Sequence, residues 1–83
     1  MRLALKTVLQ ERDEQDKQWG GSAHDDKHEL HDWVHYIQKQ ADGVSYQTIF
    51  PEVNVDNVRR HYVKIAALAL AAIESIDRKY GGL

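Results

Sequence analysis

The last third of the chain constrains its fold more than any other part. From Asn54 to Gly81 apolar residues recur at helical spacing. An advance of about 100° per residue puts Val55, Val58, Tyr62, Ile65, Ala69, Ala72, Ile76 and Tyr80 on one stripe, with Val63, Ala67, Leu70 and Ala71 on a second, far stripe. A helix apolar on two sides must be covered on two sides. The pattern predicts a helix of about 25 residues, about 37 Å long, capped by Asn54 or Asp56 and stopped by Gly81-Gly82. One side is expected to meet the rest of the chain. The other is expected to meet a second subunit, with alanines permitting close approach.

Two shorter helices are expected before it. Arg2 to about Gln18 is rich in helix formers, and Met1, Leu5, Val8, Leu9, Arg12 and Trp19 recur at helical spacing before Gly20-Gly21 ends the run. Asp26 and Glu29 have capping-box spacing, which predicts a second helix from about Lys27 to Ala41. Its stripe is Leu30, Trp33, Val34, Ile37 and Ala41, with Gly43 as its stop. Residues 44–53 are read as irregular. The expected fold is therefore all-α: a single domain over residues 1–83, three helices with a long C-terminal one, assembled into a helical-bundle oligomer.

Composition narrows the function. An 83-residue chain builds one small core, and with no cysteine it has neither a disulfide nor a thiolate metal site to support that core. Self-association is the simplest remaining support. The longest low-charge stretch, Ile65 to Ile73, is too short for a membrane span, so no membrane role is expected. A net charge of −2 with both signs mixed gives no basic footprint for duplex nucleic acid. No segment reads as a signal peptide, and the expected location is the cytoplasm, that of the host cell if a phage encodes the protein.

The densest polar cluster runs from Trp19 to His35. His24, His28, His31 and His35 are spaced 4, 3 and 4. On one helix these imidazoles would align, so the cluster reads either as a solvated face or, through His24, Asp25 and His28, as a metal site. Arg12 falls inside the apolar stripe of the first helix and needs a partner. Asp16 one turn on or Glu74 across the interface could serve, and Glu74 could instead pair with Arg78. The alternative is that these charges face an anionic ligand. Trp19, beside the Gly-Gly turn, is either a core tryptophan or a platform for a base, with Arg12 and His24 meeting phosphate. No phosphate-cradling glycine loop and no catalytic cysteine occur.

Glu11 and Glu14, like Glu74 and Asp77, have i, i+3 spacing, so each pair projects from one side of its helix. The strings Glu11-Arg-Asp-Glu14 and Glu74-Ser-Ile-Asp77 resemble the E-x-x-E and E-x-x-D pairs of the all-α nucleotide pyrophosphohydrolases of the MazG type, which hold Mg²⁺ between neighbouring helices. A broader resemblance covers most of the chain. E-R-x-x-Q-D-x-x-W-G-G-x-x-H-D-D, from Glu11 to Asp26, and A-A-L-A-L-A-A-I-E-S-I-D-R, from Ala66 to Arg78, look like small proteins encoded by phages and prophages, some labelled MazG-like. This resemblance implies a nucleotide-handling protein. Glu11, Glu14, Glu74 and Asp77 would hold Mg²⁺, with His24, Asp25 and His28 as the alternative set, and Arg12, Asp16, Trp19, His24 and Arg78 would contact the nucleotide. The competing expectation is a non-catalytic phage anti-defence protein that blocks a host defence protein by contact or sequesters a nucleotide signal.

Overall fold

The computed structural model describes residues 2–81, which are all-α with no strand among them. Met1 and Gly82, assigned above to the first stripe and the final stop, lie outside the described residues. The helices are α1 (Arg2–Trp19), α2 (Gly21–Asp25), α3 (Leu30–Thr48) and α4 (Val55–Tyr80). The first and last match their expected bounds. Gly20 and Gly21, at φ 98° and 69°, turn the chain sharply after α1 in a conformation that residues with a side chain rarely adopt. Asn54 caps α4 by accepting from the Asn57 amide at 3.1 Å, and Gly81, at φ 88°, closes its far end.

The middle of the chain departs from expectation. A single turn of helix, α2, follows the glycines, and α3 starts at Leu30 instead of Lys27. The capping box exists but sits one turn later: the Glu29 amide donates to the Asp32 carboxylate at 2.8 Å, and the Glu29 side chain accepts in return. Asp26 cannot cap because its carboxylate is held by Arg78 and Ser75 of α4. A tertiary ion pair has overridden a local signal.

Gly43 does not stop a helix either, since α3 runs on through Thr48 and takes in half of the segment read as irregular. Its missing side chain serves packing instead. A Cβ there would lie 2.7 Å from Cε1 of His61, whose Nδ1 is 2.9 Å from the Gln40 amide oxygen. Gly43→Ala is therefore expected to destabilise the protein by roughly 1–3 kcal/mol through overpacking. In a His61→Ala background the same change should stabilise by up to about 1 kcal/mol, the helix-propensity difference. Urea midpoints of the four proteins test this reversal of sign.

Helix α4 is the backbone of the fold. Trp33 clusters with Ala71 and Ala72 at one end of α3, while Gln40 and Gly43 meet His61 at the other, so α3 runs antiparallel to α4. Thr7 accepts from Arg59 and Arg12 donates to Glu74, so α1 runs in the same direction as α4. Among the described residues α1 and α3 each pack on α4 but not on each other. This leaves an open groove between them.

The buried centre is small and partly polar. Trp33, Ala67, Ala71 and Ala72 are its apolar part, and Arg12, Asp25 and Ser75 are buried with them. Ala67 and Ala71, from the second stripe of α4, are covered by the chain's own helices, so it is this stripe that meets the rest of the chain. Trp19, read above as a core residue or a platform, is 54% exposed, and the core tryptophan is Trp33.

Candidate functional site

The two strings of the sequence resemblance converge at one place, where α1, α2 and α4 meet. Arg12 is 7% exposed and donates from Nε to Glu74 at 3.1 Å, from Nη2 to Asp25 at 2.7 Å, and from Nη1 to Asp16. Asp16 and Glu74 are the partners expected from sequence; Asp25 is the one it missed. Burial alone lowers the pKa of the guanidinium. The hydrogen bond to Glu74 and the charges of Asp25 and Asp16 outweigh it and raise the pKa above the usual arginine value. Arg12 is therefore a permanent cation that ties α2 to α1 and α4.

Asp26 is the second anchor. It accepts from Arg78 Nη2 at 2.8 Å and from the buried Ser75 hydroxyl at 2.9 Å, and Lys79 donates to the His28 carbonyl at 2.9 Å. These bonds fix the chain between α2 and α3. Arg78 accordingly pairs with Asp26, and Glu74 pairs with Arg12.

The hydrogen bond from Arg78, assisted by Ser75 and opposed by partial burial, holds the Asp26 carboxyl below the usual value of 3.8. A carboxyl with a lower pKa in the folded state stabilises above its unfolded pKa and loses that contribution as pH falls through the folded value. The urea midpoint is therefore expected to fall as the pH drops below the ordinary carboxylate range and through the lowered Asp26 value, and to fall less steeply in Asp26→Asn.

In front of this clamp lies the groove between α1 and α3, of about 450 Å³, in the range of small-molecule sites. One wall is a run of rings. Trp19 stacks on His24 at 6.0 Å between centroids, His24 meets His28 edge-on at 4.9 Å, and His28 lies 5.0 Å from Trp33 and 5.2 Å from Tyr36. The glycine turn places Trp19 opposite His24, which is the local reason the W-G-G-x-x-H spacing works. Gln15, Gln18 and Gln40 bring amides to the groove, Lys39 and Lys64 bring ammonium groups, and Leu68 lies on the α4 side. Lys39 is six residues beyond Trp33, about 9 Å along α3, so the cations lie toward the end away from Trp19. The two acids are Glu11 and Asp25.

Among the residues expected to contact a nucleotide, Trp19 and His24 line the groove, whereas Arg12, Asp16 and Arg78 are engaged in the ion pairs behind it. Tyr36, Lys39, Gln40 and Lys64 were not foreseen. Their signal was faint: Trp33, Tyr36 and Lys39 follow at intervals of three along one flank of α3, and a flank reads as solvated surface until something faces it.

The expected metal sets do not gather. Glu11 lines the groove, Glu14 pairs with Lys17 at 3.5 Å, and Glu74 is bound to Arg12. Among the described residues no three histidine or acidic side chains are placed to hold an ion, neither Glu11, Glu14, Glu74 and Asp77 nor His24, Asp25 and His28. His31 and His35 are exposed, and no helix among the described residues is long and apolar enough to cross a membrane. Compared with protein-family models, curated proteins and solved structures, the chain shows no match.

Proposed function

We propose that this protein binds a nucleotide in the groove between α1 and α3, consistent with its resemblance to small phage-encoded MazG-like proteins. The observation that carries the reading is the joining of an aromatic wall and two lysines in one groove of suitable volume. A planar base would lie against Trp19 and His24, its polar edge would meet the glutamine amides, and its phosphate would reach Lys39 and Lys64. The carboxylates Asp16, Asp25 and Glu74 are engaged with Arg12. The reading is therefore capture, with any Mg²⁺ carried in on the phosphates. Capture without turnover is also how a phage protein would sequester a nucleotide signal.

Titration of tryptophan fluorescence with nucleosides, monophosphates and triphosphates, with and without Mg²⁺, tests the reading. Saturable quenching is expected. Trp19→Ala should weaken binding by about 1–3 kcal/mol, the usual contribution of one base–aromatic stack. Lys39→Ala or Lys64→Ala should weaken nucleotides by about 1.5–3 kcal/mol and leave nucleosides unchanged. All three side chains line an open groove, so circular dichroism should be unaltered. Quenching by no nucleotide would sink the proposal and turn attention to protein contacts.

A further inference from the structure

The face of the molecule opposite the groove carries a regular pattern whose large apolar side chains stand mostly exposed, although Arg59 within it donates to the Thr7 hydroxyl. Along α4, Val55, Arg59, Tyr62, Ala66, Ala69, Ile73, Ile76 and Tyr80 are spaced alternately by four and three, the seam of a left-handed helix pair. Val55 is 70% exposed, Tyr62 57%, and Ile73 and Tyr80 56% each. This seam lies about 150° around α4 from Lys64 and Leu68, which face the groove. The neighbouring helices extend it. On α3, Leu30 and Val34 are exposed and turn from Trp33 in the sense opposite to Tyr36 and Lys39. On α1, Leu5 and Leu9 are exposed and turn from Arg12 in the sense opposite to Glu11, Gln15 and Gln18. The two flanking pairs therefore stand on either side of the α4 seam and widen its exposed apolar surface.

We propose that this face pairs with a second copy of the chain, the two α4 helices running antiparallel about a two-fold axis midway between Ala66 and Ala69. The sequence of sizes along the seam selects this arrangement. Reversing one helix about that point sets Ala66 against Ala69, Tyr62 against Ile73 and Val55 against Tyr80, so small residues meet at the centre and large ones fill the ends. Charge selects it as well. Arg59 and Asp77 lie at opposite ends of the seam, and neither forms an ion pair among the described residues. In the antiparallel pair Arg59 falls one position from Asp77 of the partner subunit, twice over by symmetry. A parallel pair would set Arg59 on Arg59 and Asp77 on Asp77. The interaction leaves both grooves open, so it is independent of nucleotide binding.

Because the chain has no cysteine of its own, introduced pairs test the register cleanly. The double variant Tyr62→Cys with Ile73→Cys is expected to oxidise to a covalent dimer. Each single variant should not, since position 62 lies about 16 Å along the axis from its own copy in the antiparallel pair. Analytical ultracentrifugation of the unaltered protein should show a doubled mass, and Ile73→Glu should halve it with the helical circular dichroism retained, Ile73 being more than half exposed. A protein that stays monomeric at several hundred micromolar, a dimer that survives Ile73→Glu, or cross-linking by a single-cysteine variant would each overturn the proposal.

Discussion

Arg12→Ala is expected to lower the stability of the fold by about 3–5 kcal/mol, the usual cost of removing one partner of a buried ion pair. For a chain of 83 residues the total is only about 4–12 kcal/mol. The variant should therefore be largely unfolded, or close to it, at ambient temperature. The cost arises from what is left behind. Asp25 is 7% exposed and loses the guanidinium 2.7 Å away, and Asp16 and Glu74 are left as like charges around it. Arg12→Lys should recover part of the loss, because one ammonium cannot reach three acceptors in the planar fork that arginine provides. Urea denaturation of Arg12→Ala, Asp25→Asn and the double variant checks the mechanism. If the orphaned carboxylate is the cause, the double variant is more stable than Arg12→Ala alone. Strictly additive losses would show that Arg12 acts through packing of its stem.

Trp33→Ala is the second large effect, again about 3–5 kcal/mol. Trp33 is the one large apolar side chain among the buried residues, and its neighbours Ala71 and Ala72 are too small to move into the space it would vacate. The same ring stands edge-on to His28 in the groove wall. Loss of stability should therefore be accompanied by loss of nucleotide binding, whereas Trp19→Ala should lose binding alone. Trp33→Phe keeps an aromatic ring against the alanines and should cost well under half as much. Thermal denaturation beside fluorescence titration separates the two tryptophans. Equal effects on stability would contradict their assignment.

The two tryptophans also mark the boundary between what periodicity discloses and what it does not. Both sit on apolar stripes of their helices, and only the packing shows that α4 covers Trp33 while α1 ends with Trp19 beside the open groove. Histidines divide in the same way. His31 and His35 project from the side of α3 turned from the core, as their spacing implies, but His28 lies before the helix because its cap moved to Glu29. Gly43 reads as a terminator from its position and proves to be a contact point for His61.

By itself the sequence determined the elements whose causes are local. The span of α1 and α4, the glycine turn after Trp19, the Asn54 cap and the all-α class follow from propensity, capping chemistry and a period of 3.6, each satisfied within a few residues. The need of Arg12 for acidic partners was legible too, since an arginine on an apolar stripe has no other way to be stable. The tertiary structure alone added Asp25, 13 residues from Arg12, and decided that Glu74, 62 residues away, pairs with Arg12 and not with Arg78. It also decided where α3 begins, since the hold of Arg78 and Ser75 on Asp26 outcompetes a capping bond to the backbone. The groove belongs wholly to this second group. It exists because two helices share a third without touching each other, an arrangement of separate segments that no pattern within one segment can encode.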